Sequence, residues 1–277
     1  MYNNYYQSQI ALVTGGGSGI GRGLCIRLAQ AGATVICTDI NINIASETVT
    51  LIANKSAEAR KLDVTNLTEF EAVIGEIVAR HGKIDVMFNN AGIAINGELR
   101  DIQSSDWRQI IDVNVYGVVN GSQIAYKQML KQGFGQIVNT ASAAGLVEDL
   151  ALMGPYSLTK HSVVNYTRIL RLEAMELGIK ASVVCPGFVN TSIGVNSVAR
   201  NASKAWEDYS IKLINKGMSA DKAADIILGG VQRNKAVIAF PASTKSIVLF
   251  ARLFRGIFRA GMQKQLKEFR AKYRINE

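Results

Sequence analysis

The chain is poor in the residues that build cross-linked or metal-bound scaffolds. Its 277 residues include three cysteines, Cys25, Cys37 and Cys185, and two histidines, His81 and His161. The cysteines are scattered, and no CxxC pair or Cys/His cluster occurs, so we expect neither a disulfide framework nor a metal site. Buried thiols in a reducing compartment are the simplest interpretation, and they favour a cytoplasmic protein.

Long uncharged apolar runs are also missing. The first 16 residues carry no basic segment and no long apolar stretch, and no charge-free run elsewhere is long enough to span a bilayer. We therefore expect neither a signal peptide nor a membrane-spanning helix. The chain has three prolines and is 48% hydrophobic and 19% charged, which predicts one large buried core rather than a disordered or fibrous protein.

Acidic residues are scarce in the C-terminal stretch. After Pro241 only Glu268 and Glu277 oppose nine basic residues, which are Lys245, Arg252, Arg255, Arg259, Lys264, Lys267, Arg270, Lys272 and Arg274. This stretch supplies +7 of the formal net charge of +9. Because the rest of the chain is near neutral, we expect no nucleic-acid partner.

Short apolar runs alternate with helical patterns along most of the chain. The strand-like runs are IALVT, TVICTD, a weak AEARKLD, IDVMFNN, GQIVNTAS, KASVVCP and AVIAFP, and helix-like segments include 19–31, 66–81, 105–131 and 156–177. This alternation predicts a parallel sheet with both faces buried, within one domain over residues 1–243. An irregular stretch at about 188–218 interrupts it, and long insertions of this kind are more often binding lids than spacers.

A glycine-rich loop separates the first predicted strand from the first predicted helix. Five glycines fall within seven residues, at 15, 16, 17, 19 and 21. Glycines let the backbone turn tightly and approach a ligand, and N–H groups at a helix start favour phosphate oxygens. A merely flexible turn is the plainer alternative. The spacing is TGxxxGxG rather than the GxGxxG dinucleotide fingerprint.

The end of the second predicted strand bears on which dinucleotide would bind. Asp39 follows the glycine loop by about 20 residues, where a carboxylate can accept hydrogen bonds from ribose hydroxyls and repel a 2′-phosphate. Neither Ser18 nor Ile40 brings a positive charge to this place. The pattern favours NAD over NADP, with Arg22 a candidate partner for a phosphate and Asp39 as a simple strand cap the alternative.

Seven motifs in order resemble the short-chain dehydrogenase/reductase family, over residues from about 9 to 240. They are TGGGSGIG (14–21), LDVTN (62–66), NNAG (89–92), DVNVYGV (112–118), IVNTASAAG (137–145), YSLTK (156–160) and CPGFVNT (185–191). The resemblance implies a doubly wound α/β, Rossmann-like parallel sheet with seven strands in the order 3-2-1-4-5-6-7. It also implies a homodimer or homotetramer built through helices 105–131 and 156–177.

The resemblance assigns NAD-binding positions to the glycine loop and to the residues after several strands. These are Thr14, Gly15, Gly17, Ser18, Gly19, Ile20, Gly21, Asp39, Asp63, Val64, Asn90, Ala91, Gly92, Tyr156, Lys160, Pro186, Gly187, Val189 and Thr191. Asp63 matches the family's acidic residue near the adenine, and the CPGFVNT segment matches the one that holds the nicotinamide carboxamide.

Tyr156 and Lys160 are four residues apart, so a helix places both on one face. A free phenol has a pKa of about 10, and a nearby ammonium together with an oxidised nicotinamide ring would favour the phenolate. We expect Tyr156 to be the general acid/base and Lys160 to lower its pKa and hold the nicotinamide ribose. Ser142 would stabilise charge on the substrate oxygen. Asn114, in mid-helix, resembles the residue that positions a water for proton relay to the lysine.

Apolar residues flank the motif loops. They either line a substrate pocket or simply pack in the core, and they are Leu146, Leu152, Met153, Phe188 and Val189. His161 follows Lys160 directly but points elsewhere on the helix, so we interpret it as structural.

The C-terminal stretch, 244–277, has a helical apolar period with arginines on another face. Its apolar positions are Ile247, Phe250, Phe254, Ile257 and Phe258. We expect one basic amphipathic helix, bent near Gly256 or Gly261. Three interpretations stay open: the helix packs on its own domain or a partner subunit, it covers the substrate pocket, or it makes peripheral contact with anionic lipids.

Together these features predict an NAD(H)-dependent oxidoreductase that interconverts an alcohol and a carbonyl compound. The apolar lid and tail favour a lipophilic substrate, such as a sterol, retinoid or fatty-chain compound. A polyol, sugar or small hydroxy compound is the alternative substrate. A non-catalytic NAD(H)-sensing module and a peripheral membrane scaffold are alternatives of another class.

Overall fold

The computed structural model describes residues 3–52 and 56–276, and its centre is one sheet of seven strands. These are β1 (Ile10–Thr14), β2 (Thr34–Asp39), β3 (Ala57–Lys61), β4 (Val86–Asn89), β5 (Gly135–Thr140), β6 (Ile179–Pro186) and β7 (Val237–Phe240). Their order in space is 3-2-1-4-5-6-7, and all neighbours pair in parallel, which confirms the predicted fold class. All seven carboxyl ends therefore lie along one edge.

Ten α-helices accompany the sheet in the described part of the chain. They are α1 (Gly19–Gln30), α2 (Ile42–Thr50), α3 (Leu67–His81), α4 (Ser104–Ile111), α5 (Gly117–Gln132), α6 (Gly154–Ala174), α7 (Lys204–Asn215), α8 (Ala220–Gln232), α9 (Ala242–Leu253) and α10 (Arg255–Lys272). None of the helices that the structure describes is both long and apolar enough to cross a membrane.

Both faces of the sheet are buried. In β1, Ala11 and Val13 belong to one apolar cluster, shared with α1 and α8, while Ile10 and Leu12 belong to another, shared with α3 and α5. Because successive strand residues point to opposite faces, burial on both sides requires an uninterrupted apolar run. That requirement is the physical reason that the runs in the sequence located the strands.

One of the predicted long helices is interrupted. The segment expected at 105–131 forms α4, a π-helical turn at Asp112–Tyr116 and then α5. The segment expected at 156–177 begins earlier, at Gly154, with Pro155 in its first turn, and it ends in a 3₁₀ turn at Met175–Leu177. Proline suits a first helical turn because its missing N–H would have no partner there.

The irregular stretch at about 188–218 is tied to the body of the protein by two short parallel pairings. Val189–Asn190 pairs with Met218–Ser219, and Val198–Ala199 pairs with Ile95–Asn96. In sequence, the helix α7 lies between Val198–Ala199 and Met218–Ser219. The stretch therefore lies over the carboxyl edge of the sheet.

The C-terminal stretch is helical, which confirms the predicted C-terminal helix, but it forms two consecutive helices rather than one helix bent at Gly256 or Gly261. The break falls at Phe254, whose φ of −118° and ψ of 48° are not helical, and both glycines lie within α10. The start of α9 is fixed against β7, where the Thr244 hydroxyl donates to the carbonyl of Phe240 (3.0 Å). The helix α10 is held elsewhere, through Phe269 against Leu152 and Arg270 against Glu98. The chain turns between α9 and α10.

The predicted ranges 1–243 and 244–277 also include residues 1, 2, 53–55 and 277, which lie outside the described residues. The acidic charge of Glu277 is thus known from the sequence alone.

Candidate active site

The loop between β1 and α1 is tied to the loop that follows β4. The hydroxyl oxygen of Thr14 accepts hydrogen bonds from the backbone N–H groups of Asn90 (3.0 Å) and Ala91 (3.1 Å). A Cβ atom at Gly21 would overlap the carbonyl oxygen of Gly15, so the loop closes this tightly only with glycine there. Two motifs that lie far apart in sequence thus form one surface at the carboxyl edge.

The carboxylate of Asp39 holds the glycine loop from the side of β2. Its Oδ2 accepts a hydrogen bond from Gly17 N (3.1 Å), and its Oδ1 accepts one from Asn41 N (3.1 Å). The Arg22 guanidinium donates through Nε to the carbonyl of Gly17 (2.9 Å) and to the Thr48 hydroxyl (3.1 Å). Asp39 therefore lies against the glycine loop, and Arg22 is engaged by the protein itself.

An open groove continues from Asp39 toward α4. It is lined by Ile40, Asp63, Thr65, Ser105, Arg108, Gln109, Asp112 and Val113. One carboxylate oxygen of Asp63 accepts hydrogen bonds from the backbone N–H (2.9 Å) and the hydroxyl (2.8 Å) of Thr65. Val64 is buried, and its carbonyl accepts a hydrogen bond from the Asn120 amide (3.0 Å). Two positions were predicted for the adenosine end of the dinucleotide. Asp63 lines the groove, whereas Val64 is buried beside it.

Residues after β6 lie against the glycine loop. The hydroxyl of Ser192 donates to that of Ser18 (3.1 Å), and a Cβ atom at Gly19 would come within 2.9 Å of the Thr191 side chain. Gly19 also has a φ of +49°, a conformation that side-chain-bearing residues rarely adopt. The two segments enclose a second cavity beside the start of α1.

The remaining predicted cofactor positions are partly structural. Ile20 packs against the core shared by α1 and α8, and Val189 is buried in the same cluster. Pro186 ends β6, and the N–H of Gly187 donates to the carbonyl of Phe240 (2.7 Å). These residues shape the backbone that surrounds the cavity.

The predicted catalytic side chains meet at this edge from separate segments. Tyr156 and Lys160 lie in the first turns of α6, and the Lys160 ammonium is 5.5 Å from the centre of the Tyr156 ring. Lys160 also donates to the carbonyl of Thr140, at the end of β5 (3.1 Å). Ser142, two residues beyond β5, lies near enough to the Tyr156 hydroxyl to lower the Tyr156 pKa.

Asn114 lies in the π-helical turn and is fully buried. Its Oδ1 accepts from Ile93 N (2.9 Å), while its Nδ2 donates to the Ile93 carbonyl (2.9 Å) and to the Thr159 hydroxyl (3.1 Å). A Cβ at Gly92 would stand 3.1 Å from Asn114 Oδ1 and 3.4 Å from Lys160 Nζ. A predicted cofactor position therefore lies next to two predicted catalytic side chains. Such π turns often occur at functional sites.

Burial dominates the electrostatics of the site. Burial lowers the pKa of Lys160 to about 8. Burial raises the pKa of Tyr156, and the opposing effect of its hydrogen bond with Ser142 is smaller. For the chain alone, burial therefore outweighs the effect of Ser142, because desolvation disfavours the phenolate. The lowering of the Tyr156 pKa by Lys160 together with an oxidised nicotinamide ring stays a prediction. Burial also raises the pKa of the neighbouring Cys185 thiol to about 12.

Two residues within the YSLTK motif have roles that the sequence analysis missed. The Thr159 hydroxyl donates to the Tyr156 carbonyl (2.8 Å) and accepts the bond from Asn114 described above. The Ser157 hydroxyl donates to the carbonyl of Ala144 (2.9 Å), in the turn that Ser142 begins. The only local signal for Thr159 was its place three residues after the tyrosine, on the inner side of the helix.

The sequence left two interpretations for the apolar residues near the motifs, core packing and lining a substrate pocket. The structure divides the residues between these two. Leu146 and Leu152 pack within apolar clusters, Leu152 against Phe269 of α10. Met153 is half-buried, and Phe188 is 54% exposed. Core packing thus accounts for Leu146, Leu152 and Val189, while Met153 and Phe188 remain candidates for a pocket. His161 hydrogen-bonds within α6 through Nδ1 and the Ser157 carbonyl (2.9 Å), consistent with a structural role.

Among the residues that the structure describes, no group of three or more His, Cys, Asp or Glu side chains is placed to hold a metal ion. The three cysteines are free and buried.

Comparison with known proteins agrees with this arrangement. The short chain dehydrogenase family model matches residues 9–202. Cyclohexanol dehydrogenase from Acinetobacter sp. is 35% identical over 196 residues, 69% of this chain and 77% of that protein. Meso-2,3-butanediol dehydrogenase from Serratia marcescens is 30% identical over 238 residues, 86% of this chain and 88% of that protein.

A solved structure extends the similarity to the fold. A short-chain dehydrogenase/reductase from Burkholderia phymatum, in complex with NAD, matches with a TM-score of 0.85 and 26% sequence identity. The match covers 92% of this chain and 96% of that one.

Proposed function

The chain belongs to the short-chain dehydrogenase family, whose members oxidise alcohols or reduce carbonyl compounds, and we propose that it does so with NAD(H) on a lipophilic substrate. The observation that carries this proposal is the meeting of Asn114, Ser142, Tyr156 and Lys160 beside the glycine loop. These side chains come from three different loop and helix segments, and plain packing gives no reason for them to converge.

The residues around the glycine loop fit a dinucleotide. The loop leaves backbone N–H groups at the start of α1, where phosphate oxygens are favoured, and its glycines make room for close approach. The groove beside Asp63 would take the adenine, and the Gly187–Thr191 segment would hold the nicotinamide end. When bound, the dinucleotide supplies the hydride acceptor or donor, which no side chain can replace.

Two side chains favour NAD over NADP. The Asp39 carboxylate stands where ribose hydroxyls would donate to it and where a 2′-phosphate would be repelled. Arg22, the candidate partner for a phosphate, is engaged by the Gly17 carbonyl and Thr48, and it pairs with Glu47 at 3.3 Å. The NAD bound to the structural relative is in line with this preference.

In the proposed mechanism Tyr156 exchanges a proton with the substrate oxygen at its phenol oxygen. Ser142, which lies beside Tyr156, would donate to the same substrate oxygen and stabilise its developing charge. The Lys160 ammonium and the oxidised nicotinamide ring together would offset the burial that raises the Tyr156 pKa. Asn114 would connect Lys160 to a water for proton relay.

A lipophilic alcohol or ketone is the proposed substrate class. Support comes from the cyclohexanol dehydrogenase relative and from apolar Met153 and Phe188 near the motif loops. The butanediol dehydrogenase relative favours the second candidate, a small hydroxy compound or polyol.

We further propose an organisation for the whole protein. Residues 1–243 would form the catalytic domain, with 188–218 as a substrate lid whose Thr191 and Ser192 reach the glycine loop, and 244–277 would form a C-terminal extension. The protein would be cytoplasmic, with peripheral membrane contact through that extension, and would assemble as a homodimer or homotetramer.

The test is NADH formation by the purified protein with cyclohexanol, longer-chain secondary alcohols and 2,3-butanediol, with NADP in parallel. We expect turnover with NAD and a preference for the lipophilic alcohols. The Tyr156→Phe variant should lose about 10²- to 10⁴-fold in kcat, the usual contribution of general acid–base catalysis, while still binding NADH.

The matched control is Tyr166→Phe, on the same helix, whose hydroxyl bonds Ser122. It should keep most of the activity. If Tyr156→Phe and Tyr166→Phe behave alike, the assignment of Tyr156 is wrong. Tight NADH binding without turnover of any alcohol or ketone would support the sensing module instead.

A further inference from the structure

The turn between α9 and α10 exposes an unusual density of large apolar side chains. Six of the residues from 247 to 257 are between 43% and 65% exposed, and we call them the corner surface: Ile247, Leu249, Phe250, Leu253, Phe254 and Ile257. The Phe250 and Phe254 rings lie next to each other, with centroids 5.3 Å apart. A concentration of large exposed apolar side chains of this kind suits an interaction site.

Packing on the protein's own domain does not use the corner surface. The apolar residues of α10 that do pack are further along the helix, where Phe269 is 1% exposed and contacts Trp206 at a ring-centroid distance of 5.1 Å. Leu266 and Tyr273 join the same cluster. In α9, only Thr244 and Ala251 are buried. The C-terminal stretch therefore has two apolar faces, of which one is occupied and one is open.

The stretch of chain that carries the corner surface has charge of one sign. From residue 242 to residue 267 the chain has basic side chains but no Asp or Glu. Arg255 and Arg259 pair with Glu148 (3.4 Å) and Asp149 (3.0 Å) of the main domain. Lys245 and Arg252 have no ion-pair partner among the described residues. A second copy of the chain on this surface would bring like charges together, whereas an anionic bilayer complements them.

We propose that the corner surface docks the protein on an anionic membrane. Its apolar side chains enter the boundary between head groups and acyl chains, and Lys245 and Arg252 meet lipid phosphates. Membrane binding would be peripheral, because only the turn between α9 and α10 is apolar enough to enter the bilayer.

Docking here would also bring the active site to the bilayer. The helix α9 starts against the predicted nicotinamide segment, where a Cβ at Gly187 would be 2.6 Å from the Thr244 hydroxyl. Arg255 and Arg259 hold α10 on the loop that leads from Ser142 to Tyr156. A lipophilic alcohol dissolved in the bilayer would then have a short path to the site, and this consequence rests on the proposed function.

The experiment is flotation of the full-length protein with vesicles of phosphatidylcholine containing phosphatidylglycerol, and with vesicles of phosphatidylcholine alone. We expect binding to the anionic vesicles that weakens as salt is raised. Replacing Phe250→Ser and Phe254→Ser together should weaken that binding at least about tenfold. The matched control is Phe134→Ser, because Phe134 is 44% exposed, close to the 43% of Phe250, but lies just before β5 at the opposite edge of the sheet.

Three results would overturn the proposal: an intact protein that does not float with anionic vesicles, equal flotation with neutral vesicles, or equal losses in the Phe134→Ser control. A Phe250/Phe254 variant that changes oligomeric size without any vesicle binding would instead assign the surface to a protein partner. Tyr156→Phe should float like the intact protein. Flotation therefore tests the membrane proposal independently of turnover.

Discussion

Among single residues, Lys160 carries the largest electrostatic cost of the site. Its side chain is 3% exposed, and burial lowers its pKa to about 8. Below that pH the ammonium is charged in both the folded and the unfolded chain, so the cost of burying it is fully present. Between pH 8 and the ordinary lysine pKa the unfolded chain binds more protons, so stability rises with pH in this window.

Lys160→Met should therefore stabilise the ligand-free protein while abolishing turnover. At pH 7 the free energy of unfolding should increase by on the order of 2–3 kcal/mol, the equivalent of the lowered pKa, less the lost hydrogen bond to Thr140. Near pH 10 the gain should shrink toward zero, since the lysine is then neutral in the folded protein. Urea unfolding at both pH values measures the difference.

The exposed Lys180→Met serves as the control, with an expected change within about 0.5 kcal/mol at either pH. A Lys160→Met variant that is less stable than the natural protein at pH 7 would contradict the interpretation, because the ammonium would then be a net stabilising group.

Among the elements, α10 connects loops that follow three different strands. Its Arg270 bonds Glu98, the nearby Arg274 bonds both Glu98 and Asp101 (2.6 Å each), and Phe269 is buried against Leu152. These arginines lower the pKa values of both carboxyl groups. The helix thus braces the loops on the proposed substrate side of the site.

Phe269→Ala should undock this helix. The free energy of unfolding should fall by about 3–5 kcal/mol, the usual cost of removing a buried phenylalanine, if the helix unfolds with the domain. KM for the alcohol should rise more than KM for NAD, because the braced loops border the substrate. Steady-state kinetics with each substrate varied separately, together with urea unfolding, tests both parts.

Ile257→Ala is the matched control on the same helix, since Ile257 is 64% exposed and should tolerate truncation. Equal increases in both KM values for Phe269→Ala would mean that α10 supports the fold as a whole and not the substrate side in particular.

The elements also show where sequence patterns suffice. Six of the seven strands were predictable because burial on both faces demands uninterrupted apolar runs, while the edge strand β3, AEARK, is only partly buried and gave a weak signal. The motif order located the convergence of Tyr156 and Lys160. The break at Phe254 was not predictable from the glycines, since Gly256 and Gly261 both lie within α10. The burial that raises the Tyr156 pKa was likewise not predictable, because desolvation is a property of the folded surroundings.

For the whole molecule, the outer face of α6 bears on assembly. Leu158, Ile169 and Leu172 recur at helical spacing and are 48%, 49% and 73% exposed. A stripe of this kind on a long helix suits a two-fold interface, in which the same helix of each subunit packs against its copy. Unlike the corner surface, this stripe lies in a helix where an acidic residue, Glu173, accompanies the neighbouring Arg168 and Arg171.

Leu172→Asp should therefore weaken assembly while leaving the fold intact. Two-fold symmetry would bring two new carboxylates into one buried interface, and a buried unpaired charge costs about 2–5 kcal/mol, so the apparent dissociation constant should rise at least about 30-fold. Light scattering with size-exclusion chromatography would show a smaller species, and circular dichroism would be unchanged. Leu51→Asp, at a leucine that is 59% exposed after α2, should leave the size unaltered. A natural protein that is already monomeric at micromolar concentration would refute assembly through α6.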